Sequence, residues 1–124
     1  MTITEAITKL DALNCNTYSR RDKLDWLCQA DWRIYREVVQ PCLGEAAAPF
    51  TGYDEDTAPE TPLLAPAPFD ELYLRWMEAQ IDYHNGEFGR YNNAVILYNR
   101  AFSAYQSHVL QQHTPPAAGT RFRF

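Results

Sequence analysis

Six of the eight prolines fall between Pro41 and Pro68, and the other two are Pro115 and Pro116. Proline lacks the backbone donor a helix needs, and its ring clashes with the preceding turn, so long helices are confined to the segments before 41 and between 68 and 115. Both windows carry helical periodicity. The expected fold is therefore all-α: a four-helix, bundle-like domain over 1–113 that contains a Pro-rich loop at 40–68, followed by an extended arm over 114–124.

The first helix is expected to start with Thr4 as its cap, with Ile7, Leu10 and Leu13 repeating every three residues until Asn14–Asn16 stops it. Ser19 followed by Asp22 approximates a capping box for the second, which runs to about Val39. Its stripe is Leu24, Leu27, Cys28, Ile34, Tyr35 and Val38, and Trp26 and Trp32 lie off that stripe, free for another contact. Pro68 fits the first turn of a third helix, with Asp70 and Glu71 at the positive end of its dipole. Leu72, Trp76, Ala79 and Tyr83 form one apolar face there, and Leu74, Met77 and Ile81 form a second. A helix apolar on two sides is covered on two sides, by the same chain or by another subunit. Asn85-Gly86 supplies a left-handed stop. The fourth helix, from Gly89 or Arg90 to about Gln112, carries the strongest stripe: Tyr91, Ala94, Val95, Tyr98, Ala101, Phe102, Tyr105 and Val109. It should form an antiparallel hairpin with the third.

At 124 residues the chain has room for one domain, not for a barrel or a two-domain dinucleotide enzyme. Seven acids and no Lys or Arg lie between Glu45 and Glu71, so that one segment exceeds the whole net charge of −5. No basic stripe builds up, which disfavours sequence-specific nucleic-acid binding. Cys15, Cys28 and Cys42 are odd in number and match no zinc spacing; reduced, buried thiols of a cytosolic chain are expected. No apolar run approaches a membrane span or a signal peptide.

No catalytic signature is present. His108 and His113 are five residues apart and share no helix face, and His84 and Glu87 straddle a turn, so polar histidines at helix ends are expected rather than a metal site. Glu71, Glu78 and Asp82 surround Arg75 and read as salt-bridged surface. Asp31 interrupts the second helix's apolar stripe and needs an Arg or Tyr hydroxyl as partner. No metal or cofactor is called for. Two segments offer binding chemistry instead. Tyr53, Asp54, Glu55 and Asp56 form the most acidic part of the loop, which Phe50, Tyr53, Leu63 and Leu64 could anchor. Thr120, Arg121, Phe122, Arg123 and Phe124 alternate cationic and apolar residues, a pattern suited to adding a strand to a partner's sheet edge.

Local text around the third helix is familiar: Pro66-Ala67-Pro68-Phe69-Asp70-Glu71-Leu72-Tyr73, then Glu78-Ala79-Gln80-Ile81-Asp82-Tyr83-His84-Asn85-Gly86-Glu87, then Arg90-Tyr91-Asn92-Asn93. With Asp31-Trp32-Arg33-Ile34-Tyr35-Arg36-Glu37 and Gly52-Tyr53-Asp54, residues 31–105 resemble a small protein encoded among the head and tail genes of tailed phages and prophages of Gram-positive gut bacteria. Size, helix number and the terminal arm are similar to the head–tail connector (adaptor) proteins of siphophages. The resemblance implies a non-enzymatic virion protein of the neck, made in the bacterial cytoplasm. It would form a ring of about twelve subunits below the portal, extend the DNA channel, and meet the stopper or tail. In that setting Trp26, Trp32, Leu74, Met77 and Ile81 would pack between subunits, and Thr120–Phe124 would reach into the portal. The Tyr53–Asp56 acids would repel the passing DNA or contact the neighbouring ring. A cytosolic helical-bundle interaction or regulatory module is the alternative.

Overall fold

The structure, a computed structural model, describes residues 1–113. Helices α1 (Ile3–Leu13), α2 (Arg20–Ile34), α4 (Glu71–His84) and α5 (Phe88–His113) are long, and α3 (Gln40–Leu43) is one turn. No strand forms among the described residues; a single antiparallel bridge joins Thr2 to Pro62. The chain is thus mostly helical, as the two proline-free windows require. The expected arm over 114–124 lies outside the described residues.

Capping decides where α1 begins. Thr2, not Thr4, is its cap: the Glu5 amide donates to Thr2 Oγ1 at 3.2 Å, and the Thr2 amide donates back to Glu5 Oε1 at 3.1 Å. The next free donors of that first turn are taken by the long loop, with the Ile3 amide on the Thr61 carbonyl and the Thr4 amide on the Pro59 carbonyl, both at 3.1 Å. A helix end that would otherwise need water is therefore capped by backbone from a distant part of the chain. Ser19 caps α2 through the Asp22 amide at 3.2 Å, as its sequence suggests. Lys23, buried on α2, reaches Asp11 at 2.6 Å, and this contact holds the Asp11 carboxyl below its ordinary pKa.

Pro41 does not end the second helical segment. The chain widens into a π-helical turn over Tyr35–Val39, where the Gln40 amide reaches back five residues to Tyr35, and continues through Pro41 into α3. Proline at 41 removes the amide that the Glu37 carbonyl would normally receive, and Gln106 Nε2 of α5 donates to that carbonyl instead at 3.3 Å. Pro68 is likewise displaced from its expected place, because α4 starts only at Glu71.

Helix α4 is the centre of the fold and packs against α1, α2 and α5. The second apolar face, Leu74, Met77 and Ile81, is buried by the same chain, and of the first face Leu72 and Ala79 are buried, Trp76 is partly buried and Tyr83 stays 50% exposed. At its C-terminus the Gly86 amide bonds Tyr83 and the Glu87 amide bonds Asp82, with Gly86 at φ 76°. That is the doubly bonded glycine stop expected from Asn85-Gly86. It turns the chain into α5, whose Tyr98, Phe102 and Tyr105 close the core. The loop is not outside this core. Leu63 and Ala65 are buried in it, and Leu64 packs against it.

Candidate functional site

The acidic loop is fastened to α2 from the inside. Phe50 packs edge-on against Trp32 (ring centroids 4.9 Å) and Tyr53 (5.2 Å). Gly52, at φ 87°, lets the backbone pass so close that an added Cβ would lie 3.2 Å from both Cys28 Sγ and Trp32 Nε1. The Tyr53 amide then donates to Cys28 Sγ at 3.4 Å, and the Tyr53 hydroxyl donates to Asp31.

Asp31 is fully buried and is satisfied entirely by donors from elsewhere in the chain. Besides Tyr53, it accepts from the Tyr73 hydroxyl of α4 at 2.5 Å and from the Leu64 amide at 3.2 Å. Burial pushes its pKa up, and these three hydrogen bonds work against that rise. Burial, and next the Asp31 charge, push both tyrosine hydroxyls above their ordinary pKa, so they remain donors at neutral pH. Of the partners considered for Asp31, the tyrosine hydroxyls are the ones found.

Beyond Tyr53 the loop turns outward. Asp54 Oδ1 accepts the Asp56 amide at 2.9 Å, and the Asp54 amide donates to Thr57 Oγ1 at 2.9 Å, a local arrangement typical of short aspartate turns. Asp54, Glu55 and Asp56 are exposed. With Arg21, Leu24, Asp25 and Tyr53 they border a surface cavity of about 300 Å3. Arg21 lies 3.5 Å from Glu55, but both side chains are about three-quarters exposed, so the pair adds little stability. Chemically this is a firmly rooted anionic surface, suited to meeting cations or turning phosphate away.

The residues expected to pack between subunits are placed differently. Trp26 is 5% exposed, its ring stacked on His84 and set edge-on to Tyr18. Leu74, Met77 and Ile81 lie in the core, and Trp32 lies beneath Phe50. Their burial is accounted for by their own chain, because the loop and α4 fill the space a neighbour was expected to fill. Cys15 is exposed rather than buried, whereas Cys28 and Cys42 are half-buried, and all three are free thiols. Thr120, Arg121, Phe122, Arg123 and Phe124 lie outside the described residues. His84 packs on aromatic rings, and His108 packs on Phe69. Arg75 pairs with Glu71 at 3.1 Å and with Glu78 at 3.8 Å. Among the described residues no group of His, Cys, Asp and Glu is gathered as a metal site would require.

One surface was missed in the sequence. Between Tyr91 and His113 the only Asp, Glu, Lys or Arg is Arg100. The outward face of α5 is therefore almost uncharged, and it exposes Ile96 (50%) and Leu97 (40%) beside Asn92, Asn93 and Ser103. Counting charges on the polar side of the stripe, instead of apolar residues on the stripe, would have found it. No helix of the described residues is long and apolar enough to cross a membrane. Compared with protein-family models, with curated proteins and with solved structures, the chain has no significant match.

Proposed function

We propose that this chain is a structural subunit of a phage neck, a head–tail connector that assembles into a ring beneath the portal, extends the DNA channel, and joins the head to the stopper or tail. The observation that carries the proposal is the outward face of α5. A helix of 26 residues normally keeps charged residues on its solvent side, and here, beyond Arg90 in the first turn, Arg100 is the one Asp, Glu, Lys or Arg, beside exposed Ile96 and Leu97. Depletion of charge with retained apolar area is the composition of a surface covered by another protein. Repeated around a closed symmetry axis, such a face builds a ring, for which about twelve copies are proposed from the resemblance.

Other features serve the same reading. The acids Asp54, Glu55 and Asp56 are held on a loop rooted through Tyr53, so they can present a fixed negative surface to DNA that must slide rather than bind. The segment Thr120–Phe124 supplies the alternating Arg and Phe of a portal-binding arm.

Electron microscopy of the purified chain, alone and mixed with a siphophage portal protein, tests the proposal. Rings, or a ring stacked on the portal, are expected. A monomer or dimer that leaves the portal bare overturns it and favours the cytosolic interaction module.

A further inference from the structure

Between α3 and the last turns of α5 runs an open groove of about 360 Å3, bordered by Val38, Cys42, Leu43, Leu64, Tyr105 and Val109. The lining is largely apolar, and Leu43 at its edge is 43% exposed. Covering such a groove returns roughly 25 cal/mol for each Å2 of apolar surface removed from water. Gln112 also borders it, so α5 delivers the chain into the groove as the helix ends at His113.

The sequence continues with Thr114-Pro115-Pro116-Ala117-Ala118-Gly119-Thr120-Arg121-Phe122-Arg123-Phe124. Pro115 and Pro116 prevent α5 from carrying on past the groove. Tyr105 lies eight residues before the helix end, about 12 Å along its axis at roughly 1.5 Å per residue. Extended chain covers that distance in about four residues. A reversal at the prolines therefore leaves enough length for Phe122 to reach the groove. Glu45 is exposed on the turn just after Leu43, where Arg121 and Arg123 would meet its charge.

We propose that this groove is the docking site of the chain's own segment 114–124, with the Phe122 ring seated among Cys42, Leu64 and Tyr105 and the flanking arginines turned toward Glu45. The proposal concerns the isolated chain and does not depend on the connector reading. It gives the arm a resting place that an outside partner has to compete with.

Cys42 is a built-in probe. Alkylation of the three thiols by iodoacetamide, followed peptide by peptide by mass spectrometry, should find Cys42 protected in the full chain. Phe122→Ala combined with Phe124→Ala should speed its labelling about fivefold or more while the rate at Cys15 stays unchanged. A second arm, Arg121→Cys, keeps both rings and should form a disulfide with Cys42 inside one chain under mild oxidation. Equal Cys42 rates in the two chains overturn the proposal. So does protection that disappears at roughly hundredfold lower protein concentration, or a disulfide found only between chains, because either result assigns the groove to a second copy.

Discussion

Tyr73 Oη lies 2.5 Å from Asp31 Oδ1 and, through the same oxygen, accepts the Ala65 amide at 2.7 Å. One hydroxyl thus joins α2, α4 and the end of the long loop, and it does so where no water reaches. A buried carboxylate without a cation is tolerable only while its donors are in place, so this junction is the point at which the loop's position and the fold's stability become one property.

Tyr73→Phe should therefore lower the unfolding free energy by about 2–4 kcal/mol, because Asp31 loses a donor and the buried Ala65 amide is left unpaired. Tyr53→Phe should lower it less, by about 1–2 kcal/mol, since Tyr53 is only half-buried and its amide contact to Cys28 remains. Urea denaturation followed by circular dichroism separates the two.

The Asp31 junction also sets a pH signature. Burial raises the Asp31 pKa, so between the ordinary aspartate range and the raised folded value the native chain keeps a proton that the unfolded chain releases. The stability from this group is complete at low pH and is lost as pH rises through the raised value. Asp31→Asn removes that titration, and the other carboxyls cancel in the comparison. The stability of the native chain minus that of Asp31→Asn should accordingly fall as pH rises from the ordinary aspartate range through the raised folded value, as read from urea midpoints across a pH series.

Two glycines with left-handed backbones should respond differently to alanine. At Gly86 an added Cβ meets nothing within 4 Å, so Gly86→Ala carries only the conformational penalty, about 1 kcal/mol. At Gly52 the same Cβ presses on Cys28 Sγ and Trp32 Nε1, so Gly52→Ala should cost about 2–3 kcal/mol. Thermal melting ranks them. A Gly52→Ala chain as stable as Gly86→Ala would mean that the loop does not lie against Trp32.

Ile96 is half exposed and is not part of the buried core cluster, so Ile96→Asp should change the stability of the single chain by about 1 kcal/mol or less. The same substitution places a charge in the middle of the uncharged α5 face and should abolish ring assembly in electron micrographs. Intact rings would remove that face from the interface.

Elements whose stabilising contacts are local were legible in the sequence. Ser19 and the Asn85-Gly86 pair act within a few residues, and the Tyr98, Phe102 and Tyr105 stripe follows from helical spacing alone, so α2, the α4 stop and α5 could be placed without a structure. Residues with distant partners could not be placed. The prolines of the 40–68 segment read as a loop that Phe50, Tyr53, Leu63 and Leu64 could anchor; they did not show that Leu63 and Ala65 would enter the core or that the Thr61 and Pro59 carbonyls would cap α1. Pro41 read as a stop, yet a π-helical turn and a donor from Gln106 carry the helix through it. Trp26 and the second face of α4 looked available to another subunit only because the sequence does not say which side of α4 the loop and α1 will cover. Hydrophobic periodicity and capping determine where helices form; which of their faces remain open is decided only when the whole chain competes for them.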